Sequence, residues 1–118
     1  MKKVLCVEDD PQWGALLERY LAGAAMVRRV MSAGQALEMI DIWRPDIVVL
    51  DMLLAGETGM ALLNELRSHE DTARLPVVVC SSVSVTMEQL TPFGVVAVLD
   101  KAHMTPDEVR GVLREVLA

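Results

Sequence analysis

The chain has 118 residues, 53% of them hydrophobic, with 17 acidic against 11 basic side chains and a formal net charge of −6. That composition excludes intrinsic disorder, which needs low hydrophobicity with high net charge, and the length suits one domain, expected over residues 1–118. The acidic balance argues against direct nucleic-acid binding, and no apolar run approaches the roughly 20 residues that cross a bilayer. The opening MKKVLCVEDD is not read as a signal peptide, because carboxylates interrupt its apolar stretch at Glu8; a cytoplasmic setting without a membrane partner is expected. Cys6 and Cys80 lie inside apolar runs and read as small buried hydrophobes in a reducing compartment.

In chain order, the first predicted strand is Lys3 to Val7, a continuous apolar run of the kind that suits a parallel strand covered on both faces. Trp13, Leu16, Leu17, Tyr20 and Leu21 then follow the spacing of one buried helix face. Met26 to Met31 carries two arginines and is placed at a sheet edge, where charge blocks unwanted pairing. Ser32 and Gln35 have capping-box spacing ahead of Ala36, Leu37 and Ile40, in a helix that should stop before Pro45. Ile47 to Leu50 is the next buried strand, and Leu62, Leu63 and Leu66 mark a third helix. Val77 to Cys80 and Val95 to Leu99 are two further strands; between Ser84 and Leu90 only a turn or two of helix fits before Thr91 and Pro92. The last helix has Thr105 as cap, Pro106 in the first turn and Glu108 at the reciprocal position, with Val109, Val112, Leu113, Val116 and Leu117 as its apolar face. Strands alternating with helices give an α/β fold: a five-stranded parallel sheet with helices on both faces.

Polar residues collect at the strand ends. The first strand runs into Glu8, Asp9 and Asp10, the third into Asp51, the fourth into Ser81 and Ser82, and the fifth into Asp100 and Lys101. In a parallel sheet these ends share one edge, where open α/β sheets carry their chemistry. Carboxylates crowded there repel one another unless a cation intervenes, and an all-oxygen donor set suits a hard ion such as Mg²⁺, with Mn²⁺ able to take its place. Lys101 can neutralise a further anionic oxygen and Ser81 can donate a hydroxyl. A metal, a lysine, a hydroxyl and a free carboxylate describe a site that receives a phosphoryl group, with Asp51 as the nucleophile.

Four stretches also carry a family resemblance: VLCVEDDP at the first strand, PDIVVLDMLLAGETG around the third, LPVVVCSS at the fourth and VAVLDK at the fifth. Along essentially its full length the chain resembles the receiver domain of bacterial two-component response regulators. The resemblance implies a doubly wound (βα)₅, flavodoxin-like fold with strand order 2-1-3-4-5 and, here, a short fourth helix. It implies a Mg²⁺ site at Glu8 (through water), Asp9, Asp51 and the backbone carbonyl of Leu53. Asp51 would be the phosphoacceptor, Ser81 the switch hydroxyl and Lys101 the phosphate-contacting lysine. A sensor histidine kinase or a histidine phosphotransfer domain would supply the phosphoryl group. A downstream protein or attached output domain, or a second copy in a homodimer, would receive the signal. Such a domain catalyses its own phosphorylation and dephosphorylation and has no separate turnover substrate. The alternative is a receiver-like interaction module that makes little or no use of phosphorylation.

Several positions depart from the family pattern. Ala55 stands where proline is common, while Gly59 keeps the expected glycine. Ala102 replaces the proline after the lysine, so a cis bond there would cost about 3 kcal/mol. Val98 replaces the aromatic residue that swings inward in many relatives, and Ser82 replaces a smaller neighbour of the switch hydroxyl. Other polar residues have plainer readings. Asp10 reads as a helix cap, Asp100 as a solvated neighbour of the lysine, His69 and His103 as non-catalytic, and Trp13 and Tyr20 as helix packing. A flavin site is disfavoured by the acidic first loop, and an aspartyl-phosphate phosphatase by Leu53, where a second carboxylate would be needed.

Overall fold

A computed structural model describes residues 1–54, 57–82 and 85–118; the departure at Ala55 and the start of the fourth-helix segment at Ser84 lie outside the described residues. The β-branched runs Lys3–Val7 (β1), Ile47–Leu50 (β3), Val77–Ser81 (β4) and Val95–Asp100 (β5) form parallel strands, joined at one edge by Met26–Val30 (β2). Their order is β2-β1-β3-β4-β5, with every pairing parallel. The expected (βα)₅ topology is therefore present. β4 and β5 each run one residue further than the apolar pattern suggests, through Ser81 and Asp100, whose backbones still pair with each other.

Alternation along the strands divides the core into two layers. Leu5, Val7, Val48, Leu50 and Val79 face helices α2 (Ala33–Trp43) and α3 (Gly59–Ser68), meeting Ala36, Ile40, Leu62, Leu63 and Leu66. Val4, Cys6, Val49, Val78, Cys80 and Leu99 face α1 (Pro11–Leu21) and α5 (Pro106–Val116), meeting Leu17, Leu21, Val109 and Leu113. Both cysteines are buried and free, as expected, and burial pushes each thiol up to about 12.

The helix ends follow their sequence signals. Asp10 accepts from the Gln12 amide at 2.9 Å and Pro11 opens α1; Thr105 accepts from the Glu108 amide at 3.2 Å ahead of Pro106. At α2, Ser32 accepts from the Gln35 amide at 3.2 Å, but the reciprocal bond differs from the expected box. The Gln35 side chain accepts from the amide of Met31 at 2.8 Å, one residue earlier than expected, which helps end β2 at Val30. α2 stops at Trp43, and Arg44 closes it in the left-handed region at φ 57° just before Pro45. The fourth helix is as short as expected: α4 is Met87–Leu90, followed by one 3₁₀ turn, Thr91–Phe93. A full capping box between Thr86 and Gln89 supports it.

Candidate functional site

β1 and β3 are hydrogen-bonded neighbours at the centre of the sheet, so the residues that follow them emerge side by side. The ladder continues into the site: the Glu8 amide donates to the Val30 carbonyl at 3.0 Å, and the Asp51 amide to the Val7 carbonyl at 3.1 Å. Each acidic side chain thus starts from a fixed backbone. From the other side of the sheet, the Lys101 amide donates to the Ser81 carbonyl at 3.1 Å, tying the lysine to the end of β4.

Among the described residues, the buried polar or charged side chains are Glu8, Asp51, Ser81 and Lys101, each no more than 6% exposed. All four are positions the sequence assigns to the site. The Lys101 ammonium pairs with Glu8 Oε1 and, at 3.0 Å, with Asp51 Oδ2. The other oxygen of Asp51, Oδ1, accepts from the Leu53 amide at 3.1 Å. Glu8 Oε2 takes a longer bond from the Asp10 amide, at 3.3 Å. Asp9 is half-buried and completes an acidic group, with one oxygen each from Glu8, Asp9 and Asp51 lying within 4.8 Å of one another.

Burial is the main cause that lifts the Glu8 carboxyl to about 7; Lys101 opposes the rise, and the nearby Asp51 adds to it. Burial also pulls the Lys101 ammonium toward neutrality, but its bonds to Glu8 and Asp51 outweigh that and hold its pKa above the ordinary lysine value. Ionised, the four side chains Glu8, Asp9, Asp51 and Lys101 sum to −2, which matches one divalent cation. Hard oxygen donors, close convergence and that residual charge fit a Mg²⁺-type ion.

The structure adds two residues that the sequence reading left in other roles. Arg29, assigned to edge protection, runs beneath α1, and its Nη1 donates to the Glu8 carbonyl at 3.1 Å. It has room because residue 14 is glycine: a Cβ there would lie 2.1 Å from Arg29 Cδ. A glycine inside a helical apolar pattern was the available signal, since it costs about 1 kcal/mol relative to alanine. Trp13 packs on the α1–α5 layer as expected, and its ring also faces the site, with the Lys101 ammonium 5.1 Å from its centroid.

Gly59 has a steric reason as well. A Cβ there would lie 3.0 Å from both the Asp51 carbonyl oxygen and Met52 Cα, and the Gly59 amide donates to Met52 at 2.9 Å. The Lys101–Ala102 bond is trans, as are the other described peptide bonds. Asp100 is exposed, yet it accepts from the Ala102 amide at 2.9 Å and pairs with His103 at 2.9 Å; His103 holds its carboxyl below the ordinary aspartate value. His69 pairs with Glu65 on the surface, away from the acidic group. Val98 is half-buried against the α2–α3 layer, and Ser82 is exposed.

Fold and site together define a doubly wound α/β domain whose acidic, oxygen-donor cluster lies at the carboxyl ends of its central strands. The sequence profile described as "Response regulator receiver domain" matches residues 4–114, and the chain belongs to that family, the phosphoacceptor domains of two-component response regulators. Among curated proteins it is 33% identical to the transcriptional regulatory protein BaeR of Escherichia coli over 75% of this chain and 36% of BaeR. It is 32% identical to the transcriptional regulatory protein MalR of Bacillus subtilis over 86% of this chain and 44% of MalR. The chain thus spans less than half the length of these two relatives. Among solved structures, the BeF₃-activated N-terminal receiver domain of Klebsiella pneumoniae RstA superposes with a TM-score of 0.85 at 30% identity, covering 98% of each chain.

Proposed function

We propose that the chain takes a phosphoryl group from a phosphohistidine donor onto Asp51, with a divalent cation bound, and thereby switches a protein-interaction face. The observation that carries this reading is the buried Glu8–Lys101–Asp51 pairing at the shared carboxyl edge of the sheet. A structural salt bridge would not need a second carboxylate, nor a third within reach.

Asp51 suits the nucleophile because its two oxygens are already separated in role: Oδ2 is held by Lys101, and Oδ1 by the Leu53 amide. An Asp51 oxygen forms the new bond to phosphorus as the phosphorus–nitrogen bond of the donor breaks, and the imidazole departs with the electron pair. Lys101 and the hydroxyl of Ser81 receive phosphoryl oxygens. Glu8 (through water), Asp9, Asp51 and the Leu53 carbonyl would hold Mg²⁺, or Mn²⁺ in its place. The ion would supply charge neutralisation between the nucleophile and its anionic donor. Inward movement of the loops after β4 and β5 would then shift the balance of conformations on the outer face. Water finally hydrolyses the acyl phosphate. Leu53, half-exposed beside Asp51, offers that water no polar group, so a long-lived phosphoform is expected.

A sensor histidine kinase or a histidine phosphotransfer domain is the proposed donor, and a downstream protein, an attached output domain or a second copy the proposed recipient. The test is intact mass after incubation with a small acyl phosphate, with and without Mg²⁺, on the native chain and on Asp51→Asn. A Mg²⁺-dependent gain of one phosphoryl group, absent in Asp51→Asn, supports the reading. No gain in the native chain, from either the small donor or a cognate kinase, overturns it in favour of an interaction module. Ala102 with its trans bond to Lys101, Val98 in place of an aromatic residue, and the short α4 are the features that favour that second reading.

A further inference from the structure

Lys101 has one ammonium and two carboxylate partners, and both partners belong to the set proposed to hold a cation. A cation drawing on Glu8 and Asp51 weakens the bonds that hold the lysine in place. The ammonium is nevertheless needed there, because it must meet the incoming phosphoryl oxygens. The third group around it is uncharged: the face of the Trp13 ring, 5.1 Å from Nζ. An indole face attracts a cation through its quadrupole, most strongly where water is excluded, and Lys101 is 6% exposed. The ring carries no charge, so it competes neither for the metal nor for the phosphoryl group.

Trp13 is well placed for this part. Asp10 caps α1 and Pro11 sets its first turn, so the short loop that carries Glu8 and Asp9 leads directly into the first turn of α1, which carries the ring. Packing on the α1–α5 layer accounts for the indole's apolar body, and a leucine would serve that purpose; it does not account for an aromatic face set against the site lysine. We infer that Trp13 is a positioning residue: a neutral seat that keeps the Lys101 ammonium aimed at Asp51 while its carboxylate partners engage the cation. This rests on the phosphoacceptor reading above.

The chain has two tryptophans, and Trp43 lies at the opposite edge of the sheet, where its carbonyl accepts from the Lys3 ammonium. Trp43→Phe therefore leaves Trp13 as the only indole. In that background, emission is followed during titration with Mg²⁺ alone, in parallel with Trp43→Phe/Lys101→Met. The rate of phosphorylation by a small acyl phosphate is then compared among native, Trp13→Leu and Trp13→Phe chains, with Mg²⁺ affinity measured by calorimetry. The inference expects an emission change on Mg²⁺ binding that is lost with Lys101. It also expects a roughly tenfold slower phosphorylation in Trp13→Leu, Mg²⁺ affinity within about twofold of native, and recovery of most of the rate in Trp13→Phe. Unchanged emission, a native rate in Trp13→Leu, or equal slowing in Trp13→Leu and Trp13→Phe would each overturn it. If the native chain accepts no phosphoryl group, the phosphoacceptor reading falls, and the emission comparison alone decides whether the ring seats the lysine.

Discussion

At the scale of single residues, Glu8 and Lys101 decide most of what the site does before anything binds. Glu8 is almost fully buried, and burial lifts its carboxyl from 4.5 to about 7. The folded state therefore holds a proton that the unfolded chain has already released, and the sign of the effect follows from that. Stability from this group is complete below about 4.5 and is lost as the pH rises through about 7. Denaturant unfolding at a series of pH values should show the native chain losing stability across that window relative to Glu8→Gln, whose side chain does not titrate. Lys101 has the opposite vulnerability. Replacing it with methionine leaves two carboxylates buried together, and the expected loss is about 3–5 kcal/mol at neutral pH. Part of that loss should return on acidification, beginning at a higher pH than Glu8 titrates in the native chain because Lys101 no longer opposes its protonation, or on adding Mg²⁺. Unfolding midpoints of Lys101→Met under the three conditions measure it.

At the scale of elements, Gly14 and Arg29 form a matched pair between α1 and β2. A methyl group at residue 14 would occupy the space of the Arg29 side chain, while alanine suits a helix interior better than glycine by about 1 kcal/mol. The two effects have opposite signs and can be separated. Gly14→Ala alone should destabilise by about 1 kcal/mol, because Arg29 is expelled from the Glu8 carbonyl; in an Arg29→Ala background the same change should stabilise by up to about 1 kcal/mol. A double-mutant cycle in denaturant reads the coupling directly. This pair also marks the limit of what a sequence discloses. β1, β3 and β4 were legible because a strand buried on both faces must be apolar throughout, and α1 and α5 because their caps precede clean apolar faces. The convergence of Glu8, Asp9, Asp51, Ser81 and Lys101 was legible because parallel strands end on one edge. The path of Arg29, the reach of Gln35 to Met31 and the second face of Trp13 were not, because local spacing says nothing about where a long side chain ends in three dimensions.

At the scale of the whole molecule, the proposed cation site would couple metal binding to stability. A cation that binds the folded chain alone stabilises it by mass action, about 2.7 kcal/mol at a hundredfold excess over Kd. Thermal melts should therefore shift upward by several degrees with Mg²⁺ at pH 8. They should shift much less at pH 5.5, where protonated Glu8 has withdrawn from the donor set, and less again in Asp9→Asn. An equal shift at both pH values would remove Glu8 from the cation site.

The lysine contact has one more consequence, for the order in which the chain becomes competent. Lys101 follows the last strand of the sheet and Glu8 the first, yet the two are ion-paired across the strands between them. The site draws on β1, β3, β4 and β5, and it is incomplete until the last of these is in place. A chain still emerging from a ribosome, or one with β5 locally unzipped, has Asp51 in place but not Lys101. On the proposed function, the ability to accept a phosphoryl group would then arrive in a single step, with the docking of the final strand. Phosphorylation kinetics during refolding would time that event as sharply as any structural probe.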